Sequence, residues 1–126
     1  MSTIFDAGAF VALERGERET WRRLKASHLA ASPPLTHGGV VGQVWRGGSG
    51  RQALLAKAMQ LVDVIALDER LGRAAGSLLA RAGLADVVDA AVVAMAGDGD
   101  RIVTSDPDDI ALLAAVSGRR IDIVPI

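Results

Sequence analysis

Residues 101–110 read RIVTSDPDDI. Arg101 to Thr104 has the pattern of a short strand, and Pro107 suits the first turn of a helix predicted to continue to Val116. Asp106 stands at the junction. The same order, apolar run, acid, helix, recurs at TIFDAG (residues 3–8) around Asp6 and at LADVVDA (residues 84–90) around Asp86 and Asp89. In a parallel sheet such segments meet at one rim, the carboxyl ends of the strands, where open α/β folds bind ligands. Carboxylates collected from distant parts of a chain repel one another, and a divalent cation is the natural reason to gather them.

Outward from this stretch the chain alternates strands and helices. Thr3 to Phe5 is a short β-run, followed by a broken helical pattern from Ala9 to Leu29 that is interrupted at Gly16. Ser32-Pro33-Pro34 breaks the chain, and Leu35-Thr36 reads as a second strand. Helices are expected over Gly39 to Arg46 and Arg51 to Met59, separated by Gly47-Gly48-Ser49-Gly50. Val62 to Leu67 reads as a buried strand, and Asp68 as the cap of a helix reaching Ala82. Val87 to Ala96 is apolar almost all round, which predicts a central, largely buried helix. Ile121 to Val124 supplies a last strand. The order β-α-α-β-α-α-β-α-α-β-α-β predicts a mainly parallel sheet covered by helices on both faces.

Composition is consistent with that architecture. The 126 residues fit one domain, 1–126, with no internal repeat or linker-like tract. Half are hydrophobic and only four aromatic, so Ala, Val, Leu and Ile must build the core. Trp21 and Trp45 fall in helical patterns and read as core or interface anchors rather than base-stacking platforms. A formal charge of −1 argues against a nonspecific duplex-DNA binder but leaves room for a local basic rim. With no cysteine, disulfides, thiolate zinc sites and Cys nucleophiles are excluded. The N-terminus lacks the basic start of a signal peptide, and no apolar stretch reaches membrane-spanning length, so a cytoplasmic protein is expected.

Taken singly, each acid has a structural explanation. Asp6, Asp86 and Asp106 suit helix N-caps, each worth ~1 kcal/mol. Asp89 and Asp109 fall at the third helical position, where an acid complements the helix dipole. The joint pattern asks for more. Asp86 and Asp89 share a helix face bordered by Ala, Val and Met, and a buried carboxylate needs a cation or a proton. Other chemistries find no support: His28 and His37 lack a second ligand at zinc spacing, no Ser occupies a G-x-S-x-G elbow, and the Gly47–Gly50 run has no Lys.

The segments IFDAGAF, VVGQVWRGG, DVVDAAVVAMA and IVTSDPDDI, in this order and spacing, resemble the PIN domains, and more closely the small prokaryotic ribonucleases that act as toxins in VapBC-type toxin–antitoxin pairs. The resemblance covers essentially the whole chain. It implies a compact α/β/α sandwich, hydrolysis of RNA phosphodiester bonds with Mg²⁺ or Mn²⁺, and usually a homodimer held by an antitoxin protein.

Position by position, the resemblance makes Asp6 and Asp89 the principal metal ligands and Asp106 the last acid, holding metal or its waters. Gln43, Asp86, Thr104, Ser105 and Asp109 would support them, with Asp108 nearby, and Arg46 would meet a substrate phosphate or simply end a solvated helix. One position departs from the pattern: Gln43 stands where the family usually has glutamate, and an amide adds neither negative charge nor a base. An active nuclease, a weak one, and an inactive module that binds RNA or an antitoxin therefore remain open. Another Mg²⁺-dependent phosphoryl-transfer enzyme would need a D-x-D loop after the first strand, and Gly8 occupies the second acid's place.

Overall fold

The computed structural model describes residues 1–48 and 50–126; Ser49, inside the predicted Gly47–Gly50 break, lies outside the described residues. Five strands, β1 (Thr3–Phe5), β2 (Leu35–His37), β3 (Asp63–Ile65), β4 (Arg101–Thr104) and β5 (Asp122–Pro125), form one sheet in the order β3-β2-β1-β4-β5. All neighbouring pairs are parallel, with Ile4 opposite both Leu35 and Ile102. Parallel strands cannot be joined by tight hairpins, and seven helices make the connections. They are α1 (Ala7–Glu14), α2 (Arg18–Leu29), α3 (Gly38–Val44), α4 (Ala53–Met59), α5 (Glu69–Ala82), α6 (Val87–Ala94) and α7 (Pro107–Ser117). The predicted element order is the observed one.

Helix α1 packs with α2, α3 and α4, whereas α5, α6 and α7 pack on one another. The central strands explain the core: Ile4, Phe5, Ile102 and Val103 are fully buried between these two groups. Phe5 meets Phe10 of α1 edge to face at 5.8 Å between ring centroids, a geometry worth ~1 kcal/mol beyond its burial. The apolar helix expected around residue 90 is α6, where Ala90, Ala91, Val92 and Val93 are all fully buried on consecutive positions. Such a helix is covered on every side. Arg119 closes its far end, donating from Nη1 to the carbonyls of Ala94 and Ala96.

Two expectations fail, for identifiable reasons. The run Val62 to Leu67 is not a buried strand. Only Asp63–Ile65 is extended, and as the edge of the sheet it leaves Val64 49% and Ile65 42% exposed. An apolar run reports a preference for burial, but position in the sheet decides how many faces are covered. Trp45, expected inside a helix as a core or interface anchor, lies just past the end of α3 in extended backbone and is 43% exposed, which removes the helix and the core but is compatible with an interface. Trp21 does pack against the core, and its indole Nε1 donates to the Leu13 carbonyl at 2.9 Å.

One turn carries strain. Ala31 follows α2 with φ of 54°, the left-handed conformation in which Cβ crowds the next carbonyl. It is held there by a helix-ending pair of bonds, Ala31 N–H to His28 O and Ser32 N–H to Ser27 O, both 3.0 Å. Replacing Ala31 with Gly removes the crowding, and urea denaturation should show a gain of about 1 kcal/mol.

Candidate active site

The carboxyl ends of β1 and β4 and the amino ends of α1, α6 and α7 converge on one rim. Asp6 follows β1, is 3% exposed, and caps α1 by accepting from the Ala9 N–H at 3.0 Å. Its carboxylate also takes hydrogen bonds from the Gly8 and Ser105 N–H groups and from the Thr104 hydroxyl, yet burial outweighs them and raises its pKa. Thr104 is itself fully buried, and its Oγ1 accepts from the Asp106 N–H at 2.9 Å. One threonine thus ties the β1 turn to the β4 turn. Gly8 makes the closest approach: a Cβ there would overlap the Ser105 side chain, so only glycine lets these two turns meet.

Asp86 caps α6, its Oδ1 accepting from the Val88 and Asp89 N–H groups at 2.9 and 3.1 Å. Asp106 occupies the cap position of α7 but makes no side-chain capping bond. Its carboxylate therefore faces other acids: one oxygen each from Asp89, Asp106 and Asp109 lie within 4.8 Å of one another. Burial first, then the charges of Asp86, Asp6, Asp106 and Asp109, push the Asp89 pKa up to about 7. The charge of Asp106 is the main cause of a raised pKa at Asp109, and a hydrogen bond between the two carboxyls adds to it.

Among the described residues the ion pairs involve Glu19, Glu69 and Asp122, and none involves a rim acid. The cluster is thus built of hard oxygen donors with excess negative charge and no protein cation, a donor set that suits a hard divalent ion.

The predicted residues divide as follows. Asp89 and Asp106 are brought together with Asp109, which the sequence pattern ranked only as support. Asp6 lies close enough for its charge to act on Asp89 but outside that triad. Asp86, Thr104 and Ser105 border the rim, and Asp108 is exposed beside it. Gln43 is exposed on α3, pointing to no partner through its side chain among the described residues. Arg46 also stands apart, donating from Nη1 to the carbonyls of Gly42 and Trp45.

Two residues carry more than their sequence context suggested. His37 is fully buried: its Nδ1 accepts from the Gly39 N–H at 3.0 Å, and its Nε2 donates to the Val88 carbonyl at 2.9 Å. Both ring nitrogens are used, burial lowers the pKa, and the neutral ring braces β2 against α6 beside Asp89. Gln52 bonds fully through its amide. Oε1 accepts from the Arg46 and Gly47 N–H groups at 2.8 and 3.0 Å, while Nε2 donates to the Val44 carbonyl and to Glu14 at 2.8 and 2.7 Å. Nothing in a Gln followed by an Ala-Leu-Leu helix announces that role.

Fold and rim together define a PIN-like α/β/α domain with an acidic, metal-competent site. No family model and no curated protein matches the sequence. Among solved structures the chain is similar to the crystal structure of VapBC2 from Rickettsia felis bound to a DNA fragment from their promoter. The TM-score is 0.71 at 12% sequence identity, covering 98% of each chain. At that identity the likeness is one of fold.

The rim makes stability depend on pH. Asp89 titrates near 3.8 when unfolded and at about 7 when folded, so its contribution is fully present below the lower value and lost as pH rises through about 7. His37, with its lowered pKa, works in the opposite direction and loses stability as pH falls below about 6.5. Because His37 is common to both proteins, comparing wild type with Asp89→Asn in EDTA isolates the acid. The variant should melt higher at pH 8, the gap should close toward pH 5, and Mn²⁺ should raise the melting temperature of wild type more than that of the variant.

Proposed function

We propose that this chain is a metal-dependent endoribonuclease of the PIN type, acting as the toxin of a VapBC-like toxin–antitoxin pair. The observation that carries the reading is the unneutralised triad of Asp89, Asp106 and Asp109 at the carboxyl rim. Asp6, Asp89 and Asp106, joined by Asp109, would hold Mg²⁺ or Mn²⁺. When bound, such an ion offsets charge on a phosphate and makes water a better nucleophile at neutral pH.

The chain's own residues do the positioning. Backbone N–H groups and Thr104 fix the Asp6 carboxylate before any ligand arrives, so little ordering is left for the moment of binding. Asp106 is free of capping and is suited to orient the attacking water. Asp109, whose oxygen lies within 4.8 Å of one from Asp106 and one from Asp89, sets the position of the Asp106 carboxylate, and the proton that water gives up passes to solvent at this exposed edge. Hydrolysis then forms one P–O bond to water and breaks the P–O bond to the leaving ribose oxygen, which takes up a proton. An antitoxin as partner, an assembly of two copies and a cytoplasmic setting belong to the same proposal. In the similar structure, VapBC2 is bound to promoter DNA, and no helix among the described residues is long and apolar enough to cross a membrane.

Cleavage of a panel of structured RNAs in Mg²⁺ or Mn²⁺ tests the reading. Asp89→Asn and Asp106→Asn should each lower the rate by roughly 100-fold or more while keeping the fold. Full activity in either purified variant contradicts the assignment, and wild-type protein that binds RNA without cutting it is a noncatalytic module. Gln43→Glu is the second test: if residue 43 faces the cluster, the added carboxylate should tighten Mn²⁺ binding by calorimetry, and unchanged affinity places it outside the metal shell.

A further inference from the structure

The acidic rim repels the polyanion it is proposed to cut, so affinity for RNA has to come from cations elsewhere on the chain. The arginines at the far end of α6 and α7 are unsuited by position: Arg119 and Arg120 lie between α7 and β5, at the amino ends of the strands and away from the rim. A different group lies at the ends of α1 and α3, apart from the rim but joined to it by a groove. Arg15, Arg46 and Arg51 line one cleft of about 550 Å³ where α1 and α3 end and α4 is about to begin. Among the described residues none of the three forms an ion pair. The single acid in the cleft, Glu14, accepts the Gln52 amide.

Two further observations point to a single-stranded nucleic acid. First, the cleft is continuous with the site. A groove running along α1 from Gly8 past Val11 to Arg15 also touches Ser105 and Ile126, and its one acidic side chain is Glu17, close to Arg15 in sequence. Arg15 lines both groove and cleft, and it lies seven residues, about 10 Å of helix, beyond Gly8. Second, a neighbouring hollow that shares Gly47 and Gln52 with the cleft is walled by Trp45, the half-exposed tryptophan the core does not use. Guanidinium groups for phosphates next to an aromatic face for a base are the usual parts of a single-strand platform. Gln52 keeps the parts in register by holding the backbone of Arg46 and Gly47 against Glu14 of α1.

We propose that Arg15, Arg46 and Arg51 form a phosphate-binding cleft for the single-stranded RNA flanking the cleaved bond, with Trp45 stacking a base and Gln52 as the positioning residue. The inference rests on the nuclease reading and assigns its substrate a path from the acidic rim along α1.

Binding measured without cleavage separates the two. A short fluorescein-labelled single-stranded RNA is titrated by anisotropy in EDTA across a range of salt concentrations. Each of Arg15→Ala, Arg46→Ala and Arg51→Ala should weaken binding roughly tenfold and reduce the log–log salt slope by about 0.7. Trp45→Ala should weaken binding about tenfold without changing the slope, and Trp45→Phe should restore most of it. Arg120→Ala, at the opposite end of the sheet, is the control and should match wild type. Should Arg46→Ala loosen the end of α3, whose carbonyls it caps, Arg15 and Arg51 carry the test, with circular dichroism as the check on folding. Wild-type affinity and slope in the arginine variants overturn the cleft even if the protein cuts RNA. Equal losses in Arg120→Ala do the same, since they report overall charge. If the variants keep RNA but lose the antitoxin, the cleft is a protein-binding site and the proposal is wrong. Wild-type protein that neither binds nor cuts RNA removes the nuclease reading, and this one with it.

Discussion

Repulsion between carboxylates at one edge of a parallel sheet is the constraint around which this structure is arranged. Parallel pairing sends every strand in the same direction, so the turns after β1 and β4 open on the same rim as the start of α6. Helix amino ends there offer unpaired N–H groups, and acids suit them. That local preference is satisfied by Asp6 and Asp86, which cap. It is exceeded by Asp89, Asp106 and Asp109, whose oxygens crowd together with, among the described residues, no arginine or lysine paired to them. The folded state bears this charge because the surrounding packing is firm: Thr104 and Gly8 lock the two turns, and neutral His37 holds β2 to α6.

Stability and binding capacity are therefore opposed at this rim. An Asp89 that ionises only near neutrality is a poor contributor to the empty fold and a good ligand once a cation is present. The same opposition explains the separation of tasks along the surface. On the proposed reading, a site negative enough to attract a divalent ion is too negative to attract RNA by itself, and the positive groups of Arg15, Arg46 and Arg51 stand off from it. The net charge of −1 conceals both.

Much of the fold was legible because its signals are local. Strand runs, Pro33-Pro34 and Pro107, and acids at helix starts punctuate the chain strongly enough to yield every element in order. What escaped depends on neighbours distant in sequence. Val62 to Leu67 has the composition of a buried strand, and only its place at the edge exposes it. Trp45 reads as helical until one sees α3 stop at Val44. At the rim, Asp6, Asp89 and Asp106 stood out by spacing and resemblance. Asp109 lies near Asp106 by local spacing on α7, but its approach to Asp89 depends on how α7 is set against α6, which no linear spacing encodes. Gln52 was silent for the same reason, since its carboxylate partner Glu14 lies 38 residues away.

The separation of the first and last acidic turns is set by an atom that is missing, the Cβ of residue 8. That makes position 8 a gauge for the width of the site. Any side chain there meets the Ser105 side chain and backbone and forces one of the two turns to shift, while leaving every carboxylate in the sequence. The geometry of the acidic rim is thus exposed to change at a position bearing no functional group, and a survey of its acids alone would pass over the residue that sets their spacing.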